Sequence, residues 1–555
     1  MGIYKYSYTK LKELANTERG LRYAEKLKFV YEKEYKDRRI PTLNYSDFKS
    51  YYIDGNRVRF QNGYFDKRKR LMVLQIVSIA EDKYIPELEE ILAAICDEFS
   101  WVVPAHNYVE SEGCFDYTMI DLFSAETAMY LAETVYIFWD KLSKDICQRV
   151  YTSIKTKIID NYEGRNFWWE TSKYNWSAVC SCGIGLVYLY LFPERFNFVK
   201  SRLLSSFECY LKGLGSEGYC EEGYSYWVYG FGFFSIFYDV YLQLAEDEQE
   251  ILEKDIIGKT LQYGQTAVLD KNIFLPFADG GSKGEHDEAA LLCVIESLFE
   301  CNLHIAEEEL YLPSSQALGF RVLYRINEGF KMLPQRQETV FYEESQVFIH
   351  RNKNYVFAVK GGHNGEPHNH NDLGAFTIVK NNKQLIADLG VGEYIKAYFT
   401  DMDIRCGEEI FVCGSSSHSV PIVDNMKQLF GTKNRAKVLR QNDKSITLDI
   451  SGAYGKVDDS IIVEYSVTDN SVCASYDCKN IQEGIIFRFV SLIQPKIENG
   501  KVWIDNMQIV SSCLEIPIIQ GREYSKYLGE KGIAYTIDYC VRDVKNIQTK
   551  FLFEL

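Results

Sequence analysis

The hydrophobic period of this chain changes part-way along its length, and no single layer of secondary structure accommodates both periods. From about Leu71 to about Leu310, stretches such as PELEEILAAICDEF, AETAMYLAETVYIFWDKL, CQRVYTSIKTKIIDNY, SRLLSSFECYLKGL and EAALLCVIESLFE repeat apolar residues every three to four positions, the spacing of one helix face. After about Gln337 the runs shorten and fill with Val, Ile, Phe and Tyr, as in TVFYEESQVFIHR, YVFAVKGG, SITLDISGAY, SIIVEYSVTD and SVCASYDC, with turn residues between them. That pattern predicts antiparallel strands. The two periods imply an α+β multidomain chain: helical hairpins packed side by side over residues 1–325, then an antiparallel sheet domain, a sandwich, over residues 326–555. A length of 555 residues is itself more than one core usually serves. The function is expected where the halves meet, because clefts favour domain interfaces.

The formal charge of −16 argues against broad capture of nucleic acid or of an anionic membrane, and leaves room for a small anionic substrate in a local basic pocket. The basic run DKRKR, Asp66 to Arg70, is expected to open a solvated helix. Fifteen cysteines, scattered and without framework spacing, fit a reducing compartment. Cys180 and Cys182 read as small buried thiols on a helix. The N-terminal stretch MGIYKYSYTKLKELANTERGLRYAEKLKFV is charged throughout and lacks the apolar core of a secretory signal, so a cytoplasmic location is expected. Homo-oligomerisation is left open.

Only eight histidines occur, and three of them, His363, His368 and His370, fall within GGHNGEPHNHNDLGAF. If this segment is a strand, His368 and His370 point to one face. Asp388 in QLIADLGVGEY and His418 in SSSHSVPIVD would add a carboxylate and a third imidazole, a donor set suited to Zn²⁺ first and Mn²⁺ second. The opening Gly362, five residues, then His368-Asn369-His370 is also that of a cupin metal motif, but Gly374 and Ala375 stand where that motif needs a Glu.

The segment HNHNDLGAFTIVKNNKQLIADLGVGEY, His368 to Tyr394, resembles the sheet domain of the heparinase II/III-like polysaccharide lyases. The likeness continues at SHSVPIVDN around His418, and in the helical half at NWSAVCSCGIG from Asn175 and EEGYSYWVYG from Glu221 to Gly230. It implies an incomplete (α/α) toroid followed by a β-sandwich, and cleavage of an anionic, uronate-containing oligo- or polysaccharide by β-elimination, with heparan sulfate, hyaluronan or chondroitin ahead of alginate. It further implies that Asn175, with His106, neutralises the uronate carboxylate. Tyr226 then acts as acid, base or both, and His368 from the opposite domain is its partner. Trp176, Glu222, Tyr229 and His363 would contact substrate, His363 alternatively capping a turn. His370, Asp388 and His418 would hold one structural divalent metal that stiffens the strand bearing His368.

Two other readings stand beside this one. A toroidal glycoside hydrolase would draw its two carboxylates from Glu221, Glu222, Asp279 and Glu285. A catalytically silent carbohydrate-binding protein would keep the fold and the metal.

Overall fold

The computed structural model describes residues 4–107, 115–245, 254–271, 273–280, 286–303, 305, 307–329, 337–400, 410–455, 460–513, 516–527, 529–542 and 546–553. The chain is helical through its first half and sheet-forming through its second. It divides into two compact units that do not follow the chain in order. The first comprises Met1–Leu214, Trp227–Ile257 and Glu285–Leu333; the second comprises Gly215–Tyr226, Gly258–Gly284 and Pro334–Leu555.

In the first unit, helices begin well before Leu71, with Tyr8–Ala15, Glu18–Val30, Tyr45–Asp54 and Val58–Ala80. The run DKRKR lies inside the last of these rather than at its start. Lys67, Arg68 and Arg70 are buried, and the Arg68 guanidinium grips both oxygens of Glu98 at 2.6 and 2.8 Å. A buried ionic group is tolerated when its partner is buried with it, so a charge run need not mark a solvated face. The helices Leu122–Ile137 and Asn175–Leu191 are buried nearly all round. Their close approach depends on Gly183, where a Cβ would come within 2.5 Å of the Ala125 carbonyl oxygen. Cys180 and Cys182 are fully buried on the second of them, and every described cysteine is free. No single helix among the described residues is long and apolar enough to cross a membrane.

The second unit holds antiparallel sheets of five, four and eight strands. Strand Ser460–Thr468 shows why: Ile461, Val463, Tyr465 and Val467 alternate inward, opposite Cys478, Tyr476, Ala474 and Val472 of Ser471–Lys479. These residues share one core with Phe357, Phe376, Ile386, Phe489, Ile537 and Phe551 from the other strands.

The expected division at residue 325 therefore misses two segments that come from the helical half of the chain but pack with the sheets. Residues 258–284 are fixed by Arg351, which donates to the carbonyls of Leu269 and Val268 at 2.6 Å each. Residues 215–226 are fixed by Glu217, which accepts the backbone N–H groups of Glu343 and Glu344 at 2.7 and 3.0 Å. Gly223, at φ 104°, lets the two segments touch, since a Cβ there would meet the Gly280 nitrogen at 2.7 Å. Periodicity reports which face of an element is apolar and says nothing of which unit a connector joins.

Candidate functional site

Asp279 is the centre of the site in the second unit. It is 2 % exposed, and its carboxylate meets four donors. His368 Nδ1 lies 2.6 Å from Oδ2 and His370 Nε2 lies 3.0 Å from Oδ1. Tyr394 donates to Oδ2 at 3.0 Å and Tyr398 to Oδ1. A carboxylate offers about four lone-pair sites, so these donors complete it. The expectation of His368 and His370 on one strand face is replaced here. Both lie outside the strands, and His368 sits in a turn at φ 55°. The turn brings the two rings onto the two oxygens of one carboxylate. Ala278, next to Asp279, is also left-handed at φ 59°. Two such residues flanking one contact mark a geometry imposed by surrounding structure.

Tyr226 opens the helix Tyr224–Leu244, whose first turn belongs to this unit. Its ring lies 4.2 Å from that of His368, and its hydroxyl is 2.6 Å from that of Tyr394. Tyr394 gives its proton to Asp279, so Tyr226 donates to Tyr394. Burial of the phenol, then the negative Asp279, push Tyr226 well above the usual tyrosine range. This is the reverse of the depression a tyrosine base needs. His368 donates its Nδ1–H to the Asp279 carboxylate, which leaves Nε2 as the lone-pair nitrogen. Glu222, buried, stands 3.6 Å from that Nε2. Tyr226 and His368 thus belong to one compact unit, not to opposite domains as expected.

His370, Asp388 and His418 present ligand atoms all within 4.8 Å of one another, as do Asp279, His370 and Cys413. His418 Nε2 faces the Val412 carbonyl oxygen at 2.9 Å, which requires a proton there, and Nδ1 faces Asp388 Oδ2 at 3.0 Å. His370 Nε2 is committed to Asp279, while its Nδ1 is buried without a hydrogen-bond partner among the described residues. In both rings, one nitrogen donates to an oxygen and the other is left for a cation, the way second-shell acceptors orient ligating histidines. These residues fit a divalent metal. With no ion bound, burial would lower the His370 imidazole, but Cys413 and Asp279 outweigh it and push it up to about 10, so a metal binding at Nδ1 would have to displace a proton there. Burial would raise Asp388, and His418 outweighs it to hold the carboxyl below its usual range. Asp388 follows the strand Lys383–Ile386 and His370 lies in a loop, so such a metal would tie loops together rather than stiffen a strand.

The first unit groups other residues that the sequence singles out. Asn175 is buried in the first turn of the Asn175–Leu191 helix, an end whose exposed N–H groups favour anions. Trp176 beside it meets His106 and Trp168 at ring separations of 4.9 Å each. His106 Nδ1 lies 2.9 Å from Asp121, and burial lowers its imidazole, with Asp121 pulling the other way. A neutral His106 that donates to Asp121 offers only a lone pair at Nε2. Tyr229 is bonded to Glu126. His363, in the second unit, caps a turn, its Nδ1 accepting the Gly365 N–H at 3.2 Å.

No protein-family profile matches the sequence, and no curated protein matches it either. Solved structures do match. A heparinase III aligns over 98 % of this chain and 90 % of its own at 13 % identity and TM-score 0.56. The heparan sulfate lyase HepC of Pedobacter heparinus aligns over 96 % and 88 % at 11 % identity and TM-score 0.58. This chain has the heparinase III fold. A Streptomyces coelicolor A3 chondroitin AC lyase in complex with chondroitin sulphate aligns over 98 % and 82 % at 8 % identity and TM-score 0.50.

On this heparinase III fold, several site residues escape a reading of the sequence. Tyr398 and Cys413 carry no motif of their own, and Tyr394 is visible only as the end of the His368 to Tyr394 match. Asp279 is legible only as one acid among four. Its turn, FADGG, is rich in glycine, but nothing local shows that two histidines about ninety positions on converge there. Trp168 is 57 % exposed beside Trp176, and its position within FWWE is the one hint. Glu285 lies outside the described residues.

Proposed function

We propose that this chain is a polysaccharide lyase that cleaves a uronate-containing glycan by β-elimination, and that its units are the incomplete (α/α) toroid and β-sandwich of the heparinase II/III-like lyases. The observation that carries the reading is the chain of contacts Tyr226–Tyr394–Asp279–His368. It places a protonated phenol and an oriented imidazole against each other, the acid and the base that an elimination needs. The heparan sulfate and chondroitin lyases named above act on anionic glycans, and we assign this chain the same class of partner.

In the proposed reaction His368 Nε2 takes the proton from C5 of the uronate. The C–H electron pair forms the C4=C5 double bond as the C4–O bond breaks, and Tyr226 gives its proton to the departing oxygen. For that transfer the glycosidic oxygen replaces Tyr394 as the acceptor of the Tyr226 O–H. In the first unit, Asn175, at a helix N-terminus, offers donors of the kind a carboxylate needs as charge develops on it. His106 can join it only after gaining a proton. Trp176 and Trp168 offer faces to sugar rings, and Glu222 and Tyr229 would contact substrate. His370, Asp388 and His418 would hold Zn²⁺, which when bound would supply a rigid positive centre rather than an activated water.

Asp279, with its lone pairs filled by His368, His370, Tyr394 and Tyr398, drops out of the hydrolase reading, which then rests on Glu221 and Glu222. The test is to incubate the purified protein with heparan sulfate, hyaluronan, chondroitin, alginate and their oligosaccharides and follow ultraviolet absorbance of the unsaturated uronate. A rising signal is expected. Release of reducing ends without absorbance would overturn elimination, and binding without either would leave the silent carbohydrate-binding protein.

A further inference from the structure

We propose that Tyr527, at the tip of the last hairpin, is a substrate-binding residue whose ring stacks on the sugar that carries the departing oxygen, with Phe399 beside it. This rests on the lyase reading above and adds a contact to it. The hairpin joins the strands Ile518–Ser525 and Lys531–Val541. Its tip is closed by two backbone bonds of 2.8 Å, from the Lys526 N–H to the Glu530 carbonyl and from the Gly529 N–H to the Lys526 carbonyl. Below the tip, Tyr524 and Ala534 are buried in one core with Leu389 and Tyr398. A bridge between Lys526 and Gly392 then sets the tip against the chain two residues before Tyr394. Glycine is required at 392, where a Cβ would collide with the Val412 side chain. The tip is therefore held in place from two sides, which is what a binding platform needs.

Two open aromatic rings meet at Tyr394, the residue whose hydroxyl holds the Tyr226 O–H at 2.6 Å. The Tyr527 ring stands edge-on to it at 5.0 Å and 86°, and the Phe399 ring at 4.8 Å and 75°. Aromatic pairs that serve only a core bury both partners, yet Tyr527 is 37 % exposed and Phe399 39 %. Phe399 also meets His368 at a ring separation of 6.2 Å, so the open rings lie beside both members of the reacting pair. Burial and then Asp279 lead the causes that raise the Tyr226 phenol, and Tyr527 is among them, so its hydroxyl is near enough to act on that of Tyr226. In the proposed reaction Tyr226 gives its proton to the departing oxygen. The sugar bearing that oxygen then lies on the Tyr226 side of the pair, where Tyr527 stands. A pyranose presents a face of C–H bonds, and an open phenol ring offers the apolar surface that such a face covers. Stacking of this kind is made equally in the substrate and in the transition state, so it sets affinity and leaves the proton transfers to Tyr226 and His368.

The experiment follows elimination of heparan sulfate, hyaluronan, chondroitin and alginate oligosaccharides by the full-length wild type, Tyr527→Ala, Tyr527→Phe and the control Phe198→Ala, an exposed ring of the helical unit. In Tyr527→Ala, KM is expected to rise by about tenfold with kcat unchanged. Tyr527→Phe and the control are expected to match the wild type. An unchanged KM in Tyr527→Ala would overturn the proposal. So would a fall in kcat alone, which is what loss of support for Tyr394 gives, or an equal loss in Tyr527→Phe, which would assign the effect to the hydroxyl. A uronate whose O4 carries only a methyl group has no sugar on that side, so wild type and Tyr527→Ala should share one KM for it; a difference there would overturn the assigned side. Should Tyr527→Ala not fold, Tyr527→Leu, which fills the place without an aromatic face, takes its part. Binding without elimination by the wild type would overturn the lyase reading alone, and the dissociation constants of wild type and variant then decide the stacking. A wild type that binds none of these oligosaccharides would overturn both.

Discussion

The helical unit and the sheet unit both bury carboxylates, and they neutralise them by different means. In the helical unit Glu98 meets Arg68, Glu133 meets Arg321 at 2.7 Å, and Glu296 meets Arg325 at 2.7 Å. Guanidinium is charged at every working pH, so these pairs are permanent and serve the fold. In the sheet unit Asp279 and Asp388 are met by imidazoles and phenols. Those partners can release protons or yield to a cation, so burial there creates chemistry as well as structure. The sheet unit also has a fixed pair, Lys360 with Asp372 at 3.0 Å and Glu366 at 3.2 Å, and it brackets the histidine loop without entering the Asp279 cluster.

The contrast breaks most visibly at Tyr226. Tyr226→Phe removes one exchangeable proton and no fixed charge, so turnover is expected to fall by about 10²–10⁴-fold, while stability falls by no more than the roughly 1 kcal/mol of its hydrogen bond to Tyr394. Preserved turnover would remove Tyr226 from the chemistry. Because burial raises this phenol, it remains an acid up to the usual tyrosine pKa of about 10 and beyond. The sign for stability follows: its contribution is complete below that value and is lost as pH rises through the higher folded one.

Arg321→Met is the counterpart in the helical unit. It strands Glu133, which is 0 % exposed and among the described residues keeps the Tyr190 hydroxyl at 2.8 Å. Removing one partner of a buried pair costs about 3–5 kcal/mol, read as a lower melting temperature or denaturant midpoint. An unchanged midpoint would show that these pairs are not what holds the helices.

A surface carboxylate supplies the small end of the scale. Asp82, half-exposed, accepts from Lys141 at 2.7 Å, Lys12 at 3.0 Å and Tyr8 at 2.9 Å, and these bonds hold it well below the usual range. Solvent screens such a group, so Asp82→Asn should cost about 1 kcal/mol or less. The stabilisation is present above the unfolded value of about 3.9 and disappears as pH falls through the lower folded one. Urea midpoints of wild type and variant should therefore converge in acid.

The order of helices and strands was legible because each element needs one apolar face, and a period of 3.6 or 2 is how a chain writes that need. The triad His370, Asp388 and His418 was legible because the three residues stand near one another in sequence and have unusual chemistry in a histidine-poor chain. What stayed hidden depends on long-range placement. Arg68 looks like a surface cation until Glu98 is found inside with it. His368 and His370 look like strand neighbours because spacing cannot report a left-handed turn. Residues 215–226 and 258–284 look helical by their surroundings, and only Glu217 and Arg351 show that they pack with the sheets.

Asp279 bonds His368 through one oxygen and His370 through the other, so the imidazole assigned to the reaction and the imidazole assigned to the metal share one anion. Whatever occupies the His370 side draws on the same negative charge that steadies His368. A ligand that alters proton affinity at a distance must have its own affinity altered in return by the same factor. The two ends of this carboxylate are therefore thermodynamically linked: a cation on the His370 side, were one bound, and a proton on the His368 side would each change the other's affinity by the same factor.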